Sequence, residues 1–193
     1  MSYLHTGNKQ FLSSGIEQRT NQVASTTMRK AIVKELNFLI SSEFGRKTSD
    51  AEFFANRNFN IESFIITPQL VYQPNSTYKV VTLFRSASKQ NTLNNLNGEA
   101  VQIADFSAEF KYSSVKKGVI SLKANYLNIN YNGDANTSVA YEMLEGLKAG
   151  SNYKWQFSVQ RNLGNSLQLS LNYEGRKPGN LGVIHTEIGR AHV

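Results

Sequence analysis

The chain contains no cysteine among its 193 residues. Disulfide frameworks, thiolate metal sites and cysteine nucleophiles are therefore excluded. Histidine is nearly as scarce: His5, His185 and His192 lie near the chain ends, and no two of them have the spacing of zinc ligands. We accordingly expect no metal ion and no cofactor.

The sequence also lacks long apolar runs, a signal-like start and a dense basic region. No apolar run approaches the length of a membrane-spanning helix. The opening MSYLHTGNKQFLSSG has no basic region followed by an apolar one, so no secretory signal is visible. The net charge is +7, but the basic residues are scattered, and Lys116 and Lys117 fall where a turn is expected. We therefore predict no nucleic-acid partner.

What the sequence does contain is alternation of apolar and polar residues. In YKWQFSVQ (153–160) and SLQLSLNYEG (166–175) every second residue is apolar, and FSAEFKY (106–112) repeats the pattern. AIVKELNFLISSEF (31–44) follows it less cleanly, as one strand. A period of two is typical of strands with one apolar and one polar face. The only helix candidate, AYEMLEGLKAG (140–150), is short and ends on glycine, so no convincing helix is predicted.

Matching the apolar faces predicts three hairpins, because a one-residue slip would send one strand's apolar set to the other face. Their short turns fall at 73–76, 115–118 and 162–165. The predicted pairs are Tyr72 with Tyr78 and Leu70 with Val80 at the first turn; Tyr112 with Ile120, Phe110 with Leu122, Ala108 with Ala124 and Phe106 with Tyr126 at the second; and Trp155 with Tyr173, Phe157 with Leu171 and Val159 with Leu169 at the third.

Long polar segments separate these turns, at about 45–57, 88–101 and 133–151. Short turns that alternate with long loops are typical of up-and-down barrels in the bacterial outer membrane. We therefore predict an all-β fold, an antiparallel up-and-down meander that forms a complete or partial transmembrane-type β-barrel. A soluble β-sandwich or small barrel is the alternative.

Aromatic residues mark the hairpin ends that lie away from the short turns. Phe106 and Tyr126 hold this place in one hairpin, and Trp155 and Tyr173 hold it in another. Aromatic girdles form where a barrel meets the lipid headgroups. We predict these four residues to be membrane-interface aromatics.

The run AYEMLEGLKAGSNYKWQFSVQRNLGNSLQLSLNYEGRK, continued to VIHT (residues 140–186, with the match covering Tyr141 to Thr186), resembles the C-terminal end of large outer-membrane β-barrel proteins of Bacteroidetes-type bacteria. The upstream half, including FFANRNFNI and YQPNSTYKV, is similar more loosely. The resemblance implies a location in the outer membrane of a Gram-negative cell. Outer-membrane lipid, the barrel-assembly machinery and the remaining strands of its own parent chain would be its partners. It implies no catalytic residue.

The chain end departs from this family's pattern, in which the last strand opens His-Thr-Gly and finishes on an aromatic residue. Here the ending is EIGRAHV, and IGRAHV matches one translated frame of a common sequencing adapter. Glu187 is compatible with a glycine codon cut after its first base. We expect residues 1–186 to be a C-terminal fragment of a barrel, roughly eight strands and the stub of a ninth, and residues 187–193 to be a non-native sequencing scar.

No motif predicts catalysis, and we expect that the protein is not an enzyme. Glu142 and Glu145 could form a carboxylate pair, but they also suit a polar loop; Asp105 has no spacing that predicts a catalytic triad. Arg57 and Arg176 could bind lipopolysaccharide phosphates or lie in solvated loops. We predict an outer-membrane barrel segment with a structural, pore or transport/secretion-type role. The alternative is a soluble secreted β-domain that binds a glycan or an apolar ligand.

Overall fold

The computed structural model describes residues 1–12, 15–93, 98–114, 118–163, 168–179 and 181–192. Within these ranges the chain folds into a single ten-stranded antiparallel sheet whose strand order is the chain order. The strands are β1 (Ser2–Leu12), β2 (Gly15–Val33), β3 (Leu36–Ala51), β4 (Phe59–Tyr72), β5 (Tyr78–Asn91), β6 (Ala100–Ser114), β7 (Gly118–Asn132), β8 (Gly150–Asn162), β9 (Gln168–Lys177) and β10 (Ile184–His192). The predicted all-β meander is confirmed. In the described ranges β1 and β10 do not pair with each other, so this sheet is open.

The central hairpin has the predicted register. Phe106 lies opposite Tyr126 and Tyr112 lies opposite Ile120, with the two intermediate pairs also as predicted. Apart from Gly118, the turn predicted at 115–118 lies outside the described residues. Alternation of apolar residues, combined with a turn placed at 115–118, therefore predicted this pairing correctly.

The other two predicted registers are wrong by two residues. Tyr72 lies opposite Val80 rather than Tyr78. Asn75 explains the wider connection, because its side-chain oxygen accepts hydrogen bonds from the backbone N–H groups of Thr77 (2.9 Å) and Tyr78 (3.0 Å). A shift of two residues leaves every side chain on its predicted face.

In the last predicted hairpin, Trp155 lies opposite Gly175, and Tyr173 lies opposite Phe157. The Trp155 ring covers Gly175 so closely that a Cβ there would be 2.1 Å from it. This register therefore places the largest side chain of β8 over the one residue of β9 that has no side chain. Of the turn predicted at 162–165, residues 164 and 165 lie outside the described ranges.

Three further predictions change. The run 31–44 is not one strand, since β2 ends at Val33, Lys34 and Glu35 form a turn, and β3 begins at Leu36. The predicted long loop at 45–57 shrinks to 52–58 because β3 continues to Ala51. The described residues contain ten strands, whereas eight strands and the stub of a ninth were predicted. The last strand, β10, includes the residues from Glu187 to His192.

A six-residue helix, α1 (Ser138–Met143), lies between β7 and β8, inside the predicted long loop 133–151. A single 3₁₀ turn at Ala55–Arg57 precedes β4. The prediction of no convincing helix is thus wrong for α1, which overlaps the candidate segment 140–150. The hydrophobic face of so short a helix needs tertiary contacts to persist.

The two faces of the sheet differ, and we name them by what lies on them. The bare face carries the side chains in register with Phe84, Phe106, Tyr126 and Tyr153, which are paired in succession across β5 to β8. Its exposed large apolar residues include Phe44, Phe64, Leu70, Tyr72, Phe84, Phe106, Leu122, Tyr126, Tyr153 and Leu169.

The covered face is the opposite one, onto which α1 packs. Its contribution to the core comes from one end of the strands: Phe59, Ile61, Ala87, Val101, Ile103 and Ile129. The helix side of the same core consists of Val139, Ala140, Met143 and Leu144. The main buried cluster therefore lies between the sheet and α1, and the bare face contributes nothing to it.

Candidate functional site: the docked segment on the covered face

The connection from β7 to β8, residues 133–149, folds back onto the covered face, and we call it the docked segment. Its helix starts at an N-cap, where the Thr137 hydroxyl accepts a hydrogen bond from the Ala140 backbone N–H at 3.0 Å. It ends in a left-handed turn, with φ of 57° at Glu145 and 71° at Gly146. The Gly146 N–H closes this turn on the Tyr141 carbonyl at 3.1 Å.

Apolar contact holds the helix against the strands. Ala140 and Met143 are 0% exposed, and Val139 and Leu144 are nearly as buried. The apolar residues that they meet lie on β4, β5, β6 and β7. One short helix therefore rests across four neighbouring strands.

Ion pairs fasten the C-terminal end of the helix to the sheet. Glu145 Oε1 accepts hydrogen bonds from Arg85 Nη2 at 2.6 Å and from Lys89 Nζ at 2.8 Å. Lys89 Nζ also donates to the Met143 carbonyl at 3.2 Å, and Glu142 pairs with Lys47 of β3. Glu142 and Glu145, the carboxylate pair noted in the sequence, thus form ion pairs that connect the docked segment to the sheet.

The environment of Glu145 favours its ionised form. Burial alone would raise the pKa of this carboxyl, but the hydrogen bonds from Arg85 and Lys89, and the charges of both, lower the pKa below its usual value. The left-handed backbone at Glu145 is uncommon for a residue other than glycine. A strained residue held between two cations is consistent with a tether.

A cavity of about 530 Å³ lies beside the docked segment. Its walls include Glu43 and Lys47 of the sheet and Tyr141 and Glu145 of the segment. The mixed charges suit water and polar solutes. Among the described residues, no group of three or more potential metal-ligating side chains comes together.

The four predicted interface aromatics lie on the bare face, but not in one row. Phe106 and Tyr126 are directly opposite each other, and the Tyr126 ring is 5.1 Å from that of Tyr153. Trp155 lies two residues farther along β8 than Tyr153, opposite Ala124. Tyr173 lies farther still toward the β8–β9 connection. Their role at a membrane interface stays a prediction.

A second aromatic group, at the opposite end of the bare face, was missed by sequence reasoning. The Tyr78 ring lies 5.3 Å from that of Tyr112 and 6.4 Å from that of Phe110. Tyr72 and Tyr78 flank a predicted short turn, and Tyr112 lies just before another. Their positions beside short turns could have predicted this aromatic group, because residues beside the short turns of a meander lie at the same end of the sheet.

Other polar residues singled out in the sequence separate to different places. Arg57 lies against the Phe54 ring, 4.6 Å from its centroid. Arg176 lies on the covered face, opposite Lys154. Arg57 belongs to the 3₁₀ turn before β4, so the two arginines are not neighbours. Asp105 lies opposite Arg85 on the covered face, with one carboxylate oxygen buried and unpartnered.

No family model, curated protein or solved structure matches this chain. Within the part of the chain that the structure describes, no helix is long and apolar enough to cross a membrane.

Proposed function

We propose that this chain is a segment of an outer-membrane β-barrel with a pore or transport-type role. In this arrangement the bare face contacts lipid and the covered face turns toward the interior. The observation that carries the proposal is the bare face itself, on which exposed aromatic and aliphatic side chains extend across strands β3 to β9. Exposed apolar fields of this extent mark membrane or protein contact rather than a water-facing surface.

The height of the apolar field supports a bilayer contact. On β3 the bare-face residues from Leu36 to Phe44 are apolar except for Ser42, and the next on that face, Arg46, pairs with Glu62. Nine residues, at a rise of about 3.3 Å and a tilt of about 45°, cover about 20 Å along the membrane normal. The apolar band of outer-membrane barrels is about 25 Å tall.

The covered face supports an aqueous interior. Away from the docked segment it carries charged and amide side chains such as Lys123, Asn125, Lys154 and Gln156. A barrel lumen accommodates these groups, and loops or helices fold into the lumens of many barrels. The chain's partners would then be outer-membrane lipid, the barrel-assembly machinery and further strands of its own protein.

The soluble alternative requires a second layer that covers the bare face, as the two sheets of a sandwich cover each other. A fractionation experiment separates the two. The full-length gene product, expressed in a Gram-negative host, should remain in the outer membrane until detergent is added, and unheated samples should migrate differently on gels from heated ones. A soluble periplasmic protein is the control. Release of the protein into detergent-free buffer would contradict the membrane proposal.

A further inference from the structure

Lysine and arginine residues form a compact group on the covered face, away from the docked segment. We call it the cation ladder: Lys79, Lys111, Lys123, Lys154 and Arg176. It occupies three adjacent register rows between β5 and β9. Lys79 lies opposite Lys111 in one row, and Lys154 lies opposite Arg176 in another.

The row between them carries the only carboxylates of these three rows. Glu109 lies opposite Lys123, and Glu174 lies opposite Gln156, which is itself opposite Lys123. Five cations and two carboxylates give the three rows a net charge of +3. Among the described residues, no ion pair within 4.0 Å includes any member of the ladder.

Like charges directly opposite each other on neighbouring strands destabilise a sheet. The ladder contains two such pairs, so stability of the sheet does not explain it. Near the docked segment the pattern is different, since Lys47, Arg85 and Lys89 are matched by Glu142 and Glu145. The covered face thus has one group of cations that form ion pairs with the docked segment and, among the described residues, a second group that forms none.

We propose that the cation ladder lines a path for small anions through the barrel interior, an inference that rests on the proposed barrel. Its side chains supply positive charge and hydrogen-bond donors without acceptors, which suits chloride, phosphate and carboxylate solutes. Asn125 and Gln156 lie beside Lys154 and Lys123, and their amides add further donors around a cavity that three of the cations and one carboxylate, Glu174, also line. Rings of arginine and lysine select anions in other pores.

The experiment is a reversal-potential measurement on the full-length gene product in planar bilayers under a potassium chloride gradient. We expect a chloride-to-potassium permeability ratio above one. The double variant Lys154→Glu with Arg176→Glu changes the net charge of the three rows from +3 to −1 and should lower the ratio below one. The neutral pair Lys154→Gln with Arg176→Gln should give an intermediate ratio, and it replaces the glutamate pair if that variant does not fold.

Lys177→Glu is the matched control, because Lys177 follows Arg176 in β9 but lies on the bare face, opposite Tyr153. It should leave the permeability ratio unchanged. A wild-type ratio at or below one, an equal effect of the control, or an inserted barrel that passes no current would overturn the inference while leaving the barrel intact. Release of the protein into buffer without detergent would instead contradict the proposed function itself.

Discussion

Removal of the Met143 side chain tests whether burial of α1 holds the docked segment in place. Met143 is fully buried between the helix and the strands. A buried Met→Ala change costs about 2–5 kcal/mol. The helix has only six residues, so this loss falls on local docking and should leave strand pairing intact. Met143→Ala should therefore release the segment while the sheet remains folded.

Trypsin provides the assay, because Lys148 is the only lysine or arginine between residues 133 and 149. The Lys148 carbonyl accepts a hydrogen bond from the Asn152 side chain at 2.8 Å, so cleavage there requires local opening. When opening is fast relative to cleavage, the rate follows the open population. A loss of about 2 kcal/mol raises that population about thirtyfold, since each 1.4 kcal/mol is tenfold.

Tyr141→Ala is the matched control on the same helix, since Tyr141 is 72% exposed. Its effect on docking should stay within about 0.5 kcal/mol. Heat-dependent gel mobility should be unchanged in both variants. Equal rates of cleavage after Lys148 in the two variants would refute the reasoning.

Three further outcomes are expected. The docking contribution of Glu145 is complete above the ordinary glutamate pKa of about 4.3 and is lost as pH falls through its lowered folded-state pKa. The protection of α1 amides from hydrogen exchange, taken relative to the intrinsic exchange rate at each pH, should therefore fall on acidification, and Glu145→Gln, which lacks the ionisable carboxyl, should lose this response. Leu122→Arg, on the bare face, should cost about 2–4 kcal/mol in urea titrations of the lipid-inserted barrel; Ser121→Arg, on the covered face, should cost much less, and equal costs would contradict a lipid contact. Gly175→Ala would bring a Cβ to 2.1 Å from the ring of Trp155, the single tryptophan, and should destabilise by about 1–3 kcal/mol and shift its fluorescence to longer wavelength. Unchanged emission would mean that the ring does not cover this glycine.

The faces of the strands could be predicted from the sequence, whereas the pairing could be predicted only in part. Alternation fixes whether a residue such as Phe157 or Leu171 belongs to the bare face. It cannot distinguish two registers that differ by two residues, because both match apolar with apolar. The wider turn at Asn75 and the close approach of Trp155 to Gly175 decided those cases.

The docked segment was not predicted, although a signal for it existed. Phe59, Ile61, Val101, Ile103 and Ile129 are apolar residues clustered at one end of the face that carries Lys123, Asn125, Lys154 and Gln156. At these strand ends the bare face is polar, with Ser88, Gln102 and Asn130 paired in succession, so the apolar residues predict a cover on the opposite face. The helix itself could not be predicted, because six residues are too few to show a helical period of apolar residues. Glu142 and Glu145 are residue types that also suit a polar loop.

The contact between Lys47 and Glu142 also has a consequence for the order in which parts of the chain fold. It joins residues that are 95 positions apart in the chain, and α1 rests on four strands that must already be side by side. A six-residue helix is not stable alone, and contacts this distant in sequence form only after the intervening chain is ordered. The docked segment therefore forms only after β3 to β7 are side by side, and the covered face of these strands stays accessible while they are being assembled.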